Sequence, residues 1–248
     1  MLLHLQTWAE CEAYLKRSTA IIVPIGSTEQ HGPNGLIGTD AICAEYISHR
    51  VGEQAQAMVG PTISIGMAQH HLAFAGSITM RPTTMIAYVR DYVRSLAMHG
   101  FDRFYFVNGH GGNVATLGAA FNELYAEQSL DATGQIRRVR CEQRNWYETP
   151  GVKAIGAKEY AGREGSHATP AEVAVTQFVH PEAIKRVGME PVGPRARRFT
   201  DARDLRSLHP DGRIGSDPSL ATPEVGKRLV EAAVAELVPD FKAFVAAA

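Results

Sequence analysis

Residues 20–40, AIIVPIGSTEQHGPNGLIGTD, decide how the rest of the chain is read. The first six are continuously apolar, a run too short for a helix and suited to a strand buried on both faces. Turn formers fill residues 26–38, and a helical pattern opens at Asp40, with Thr39 or Asp40 as the candidate N-cap. Strand, glycine-rich loop and helix together make one half of a βαβ unit. Repeated, that unit builds a parallel sheet with helices on both faces, and ligands bind beyond the carboxyl ends of its strands.

Outward from this stretch the unit recurs. Residues 57–65 read as a strand and residues 84–99 as a helix that ends at Gly100. RFYFV at 103–107 is the next strand, followed by NGHGGN and a helix over 114–128, and 136–142 reads as a further strand. Thr169–Pro170 and Thr222–Pro223 each open a helix with proline in its first position. The expected architecture is a three-layer α/β fold with a mostly parallel sheet, spanning residues 1–248 as a single domain. Residues 187–218, rich in Arg, Gly and Pro, read either as a long surface loop or as a subunit contact.

Composition narrows the partners. Lys plus Arg total 25 and Asp plus Glu 26, a net charge of −1 that offers no electrostatic footprint for nucleic acid or an anionic membrane. Cys11, Cys43 and Cys141 are odd in number and far apart, so neither a disulfide framework nor a zinc knuckle is expected. MLLHLQTWAE lacks the features of a secretory leader, and no apolar run reaches membrane-spanning length. A cytoplasmic location is expected.

Three segments gather chemistry-bearing residues. Glu29 and His31 project to the same side of an extended loop, and Asp40 stands at the mouth of a helix, where a carboxylate is favoured. One imidazole and two carboxylates suit zinc, manganese or iron, although Asp40 as a simple cap explains its position equally well. The second segment is Asn108 to Asn113. It places His110 between residues that tolerate positive φ, and the amides of Gly111 and Gly112 can approach a ligand. It reads as a site, as a structural turn, or as a phosphate or nucleotide cradle in a non-hydrolytic binding protein, though no GxGxxG or GxxxxGK pattern supports the last. In the third segment Thr169 and Glu172 fit a capping box, which leaves Glu172 divided between cap and ligand, while His167 has no evident structural duty. His70 and His71 follow a strand-like run, so one of them is expected at a pocket. Trp146 reads either as a surface for stacking on a planar substrate or as a core or interface residue.

Together these segments resemble the creatininase family. The resemblance rests on PIGSTEQHGP with Thr39–Asp40 downstream, HLAFAGSI at 71–78, NGHGGN at 108–113, GSHATPAE at 165–172 and GRIGSDPSLATPEVGKRLVE at 212–231. It implies two divalent ions per subunit (Zn, Mn or Fe), one held by Glu29 and His110, the other by His31 and Glu172, with Asp40 bridging. It further implies that hydroxide held between the ions attacks an amide carbon and that His167 passes a proton to the leaving nitrogen. Gly111, Gly112 and His71 would face the substrate. The resemblance implies a homo-oligomer too, since family members are typically homo-oligomers and often hexamers. Creatininase itself carries a bulky residue and a glutamate where this chain has Gly111 and Gly112, and a glutamate where it has Ser166. The resemblance is therefore nearer to relatives such as formamidopyrimidine deformylases and peptide-trimming members. A small non-peptide amide or formamide, in some cases cyclic, is the expected substrate, and creatinine is not.

Overall fold

Strand β1 (Ala20–Ile25) lies inside the sheet with all six residues buried, as a doubly covered strand requires. In the computed structural model, which describes residues 1–195 and 197–247, the strand order is β2 (Met58–Val59), β1, β3 (Arg103–Asn108), β4 (Arg140–Asn145), all parallel. Alternating side chains feed two cores. Ile22, Tyr105 and Val107 pack on α2 (Thr39–Ala55), α5 (Pro150–Tyr160), α6 (Pro170–Val179) and α8 (Pro223–Ala246). Ile21, Val23, Phe104 and Phe106 pack on α1 (Trp8–Leu15), α3 (Pro82–His99) and α4 (Asn113–Leu130). This is the expected three-layer arrangement. Among the described residues, no helix is long and apolar enough to cross a membrane.

Some boundaries differ from the sequence reading, each for a local reason. The strand expected over 57–65 stops at Val59, because Pro61 has no N–H to give the ladder; Gly60 and Ile63 still donate to Ile22 and Pro24. The strand expected over 136–142 begins only at Arg140, since the Asp131 carboxylate holds residues 133–136 in a turn. Neither Thr39 nor Asp40 is the N-cap of α2. Gly38 takes that place, the Thr39 hydroxyl donates back to the Leu36 carbonyl, and Asp40 lies inside the first turn. Segment 187–218, apart from Ala196, which lies outside the described residues, carries the short helix α7 (Ala202–Leu208) and returns along the chain's own residues 165–167.

The sheet topology places the functional loops. The chain moves from β1 outward to β2, then crosses to β3 on the other side of β1. A crevice opens at such a reversal, beyond the strand ends. Ile25, Asn108 and Asn145 stand in register there, so the loops after β1, β3 and β4 leave the sheet side by side.

Candidate metal centre

Four segments meet in that crevice. The loop after β1 supplies Glu29 and His31, the first turn of α2 supplies Asp40, the loop after β3 supplies His110, and the third residue of α6 supplies Glu172. Gly109 makes the approach possible. A β-carbon there would fall 2.2 Å from the Asp40 carbonyl oxygen, so only glycine lets β3 and α2 come this close.

Asp40 stands in the middle with its two oxygens divided. Oδ1 is 3.0 Å from His31 Nε2, and Oδ2 is 3.0 Å from His110 Nδ1. Glu29 Oε1 lies 3.3 Å from His110 Nδ1, and Glu172 Oε1 lies 3.8 Å from His31 Nε2. Two groups with cation-binding geometry result, Glu29–Asp40–His110 and His31–Asp40–Glu172, sharing Asp40; a third combines Glu29, His31 and His167. Glu172 also completes the capping box of α6, accepting from the Thr169 N–H while the Thr169 hydroxyl accepts from its own N–H at 3.2 Å. The sequence left cap and cluster as alternatives; in the structure Glu172 occupies both positions.

The far side of each imidazole is held by the main chain. His31 Nδ1–H donates to the Glu29 carbonyl at 3.0 Å, and His110 Nε2–H donates to the Met67 carbonyl at 3.1 Å. Each ring therefore turns its other nitrogen to the carboxylates, the orientation that metal-ligating histidines adopt. Glu29 Oε1 and Asp40 Oδ2 are buried and accept no hydrogen bond. Lone pairs on nitrogen and oxygen thus converge, an arrangement that demands either protons or a cation between them. The donor set fits zinc, manganese or iron.

In the absence of a cation, protons do that work. Burial pushes the Glu29 carboxyl up to about 7. Burial also opposes charge on His31, but Asp40 and Glu172 prevail and raise it to about 10. For His110, Glu29 and Asp40 likewise overcome burial and raise it to about 9. Asp40, although buried, is held well below the usual carboxylate range by those two imidazoles. His71 and His167 go the other way, since burial and neighbouring imidazoles keep both neutral.

A cavity of about 750 Å³ opens onto the cluster, walled in part by Gly111, Gly112, Trp146, Tyr147, Glu164 and Phe199. His167, 9% exposed, points Nδ1 at Glu29 Oε1 from 3.7 Å. His71 is 1% exposed and sits against Glu29, with Nε2 3.3 Å from Oε1; the more exposed His70 stacks on Phe199 at the cavity wall. Trp146 is packed into the core, where it also borders the cavity.

Several contributors escaped the sequence reading. Ser27 donates to Glu29 Oε2 at 2.8 Å. Asn108 donates to the His110 carbonyl at 2.7 Å, and Asn113 ties Asn108 to the Gly26 carbonyl. The asparagines on either side of GHGG were the visible signal for this clamp. Gln30 gave none beyond its place between two candidate ligands.

A profile of the family described as "Creatininase: Creatinine amidohydrolase" matches residues 4–240. The chain belongs to the creatininase family. It is 32% identical over 234 residues to the mycofactocin precursor peptide peptidase of Mycobacterium ulcerans (strain Agy99), covering 89% of this chain and 82% of that one. It is 30% identical over 113 residues to the creatinine amidohydrolase of Pseudomonas putida, covering 43% of this chain and 44% of that one. The solved structure described as "Creatininase Mn" superposes with a TM-score of 0.87 over 99% of both chains at 20% identity, a likeness of fold. The chain is thus a creatininase-family amidohydrolase with a cluster suited to metal.

Proposed function

We propose that this creatininase-family chain hydrolyses an amide C–N bond with two divalent cations, one held by Glu29, Asp40 and His110 and the other by His31, Asp40 and Glu172. The carrying observation is the division of Asp40, whose two oxygens face two separate histidines at 3.0 Å each. Bound there, divalent cations bring water toward ionisation near neutral pH and polarise a carbonyl. The residues of the chain do the rest. Ser27 holds the Glu29 carboxylate, His71 stands 3.3 Å from its other oxygen, and the neutral His167 carries a proton from the attacking side to the leaving nitrogen. The main chain at Gly111 and Gly112 admits the substrate carbonyl without a side chain in its way.

The phosphate-cradle reading of NGHGGN loses support, because the Asn113 and Val114 amides are already taken by the His110 and Gly111 carbonyls. For the substrate, small amides, cyclic amides and formamides remain the first reading. A peptide end is the second, favoured by a cavity of about 750 Å³, in the upper part of the range for ligand pockets. The peptidase name of the relative aligned over 234 residues points the same way.

Metal analysis of the purified protein and of Asp40→Asn and His110→Ala tests the centre. Two ions per chain are expected, with loss of metal and activity in both variants. No metal under replete conditions, or unchanged content in both variants, overturns it. Turnover of lactams, formamides and short peptides, side by side, separates the two substrate readings.

A further inference from the structure

The two histidines beside Glu29, His71 and His167, lie with ring centres 4.3 Å apart and planes 28° from parallel. The side chain that touches both is Gln30, itself 6% exposed. Main chain fixes which way its carboxamide points. Oε1 accepts from the Gly32 N–H at 2.8 Å, and Nε2 donates to the Gly212 carbonyl at 3.0 Å. Gly212 has φ +86°, and a β-carbon there would fall 1.9 Å from Oε1, so the contact requires glycine.

One N–H of the carboxamide remains, with two ring nitrogens in reach: His71 Nδ1 at 3.0 Å and His167 Nε2 at 2.8 Å. His167 Nε2 also lies 2.8 Å from the main-chain carbonyl of Gln30, which has no other hydrogen bond among the described residues. A carbonyl only accepts, so that contact needs the proton on Nε2. His167 then cannot accept from the carboxamide, and the remaining amide proton goes to His71 Nδ1. Three protons meet three acceptors. The opposite assignment leaves the Gln30 carbonyl and His71 Nδ1 both buried without partners, a cost on two counts.

We propose that Gln30 is a positioning residue that fixes the proton positions of both histidines. His167 carries its proton on Nε2 and turns the Nδ1 lone pair toward Glu29, and His71 carries its proton on Nε2, which stands 3.3 Å from Glu29 Oε1. Its use in catalysis rests on the hydrolytic reading above. As the water O–H bond breaks, Nδ1 of His167 takes the proton; as the C–N bond breaks, the same atom returns it to the leaving nitrogen. Throughout, Nε2–H stays on the Gln30 carbonyl, so the ring does not have to turn between the two transfers.

Long-range proton–nitrogen NMR of the full chain labelled with ¹⁵N-histidine, zinc-loaded and metal-depleted, reads the tautomers directly. His71→Gln and His167→Gln variants assign the signals. Both histidines are expected as Nε2–H tautomers at neutral pH, and an Nδ1–H tautomer for either one overturns the proposal. Gln30→Met keeps the length and removes the donors. It is expected to disturb the His71 tautomer and to lower kcat at least tenfold, with KM within twofold and metal content unchanged. Unaltered His71 signals with full activity in that variant also overturn the proposal. Should the variant not fold, the wild-type spectra decide alone. If no amide is hydrolysed by the wild type, the function above fails while the tautomer measurement still stands.

Discussion

The chain uses the same helix-start device twice, with opposite outcomes. Thr7–Glu10 opens α1 and Thr169–Glu172 opens α6, and both form the full reciprocal capping box. At α1 the box faces solvent, and hydrogen bonds from the Thr7 backbone and side chain pull the Glu10 carboxyl below its ordinary value. At α6 the glutamate is half-buried beside His31 and Asp40, and its withdrawal from solvent pushes its carboxyl up. The motif settles where a helix begins. What surrounds the glutamate settles whether it has a second duty.

The largest expected effect contrasts the two glutamates. Glu172→Gln retains a side chain able to cap but removes a charge from the cluster. It is expected to lose at least one metal equivalent and to lower turnover on the order of a hundredfold, the upper end of what changing even the hydrogen-bond partners of a metal's ligands costs. Glu10→Gln should leave both quantities unchanged. Metal analysis and steady-state kinetics on the pair read the difference, and equal behaviour would erase it.

The next effect concerns protons, which only the box beside the cluster feels. With His31 raised to about 10 and His110 to about 9 in the absence of metal, both imidazoles are charged at neutral pH. Metal must displace those protons, so apparent affinity weakens as pH falls, by up to about a hundredfold per pH unit if both leave. Calorimetric titration of zinc into the metal-depleted chain, in two buffers of different ionisation heat, counts the protons released. Zero released would contradict the charge pattern described for the cluster.

A smaller effect separates cap from cluster. Thr169→Ala removes the hydroxyl that accepts from Glu172 N–H and should cost about 1 kcal/mol of stability. It should also loosen the carboxylate that faces His31, so activity falls while bound metal is largely kept. Thr7→Ala is expected to change stability with no change in kinetics. Thermal unfolding and turnover measured on both variants sharpen the contrast.

How much of this was legible beforehand follows the range of the interactions. Strand β1, the loop after it and the start of α2 were readable because apolar runs, glycine and turn formers act within a few residues. Glu29, His31, Asp40, His110, His167 and Glu172 could be picked out by residue type, and the structure brings them together through the flush strand ends. Helix α5 went unread: PGVKAIGAKEY carries two glycines and buries only Val152, Gly156 and Tyr160, too faint a stripe to register. Pro61 cut β2 short through a missing donor. Gln30 acts on His71, His167 and Gly212, partners brought close only by folding, and a carboxamide in a loop announces none of them. The return of residues 212–216 onto His167 is likewise a long-range pairing.

One feature of the centre bears on how such a protein can change its trade. His31 and His110 are each steadied by a peptide carbonyl, Glu29's own and Met67's. The pocket's outer lining, by contrast, is made of side chains such as Tyr147, Glu164 and Phe199 that take no part in that suspension. Reactive apparatus hung from peptide groups is indifferent to which residues paper the walls around it. The walls can therefore be redecorated for a new guest while the machinery beneath stays as it was.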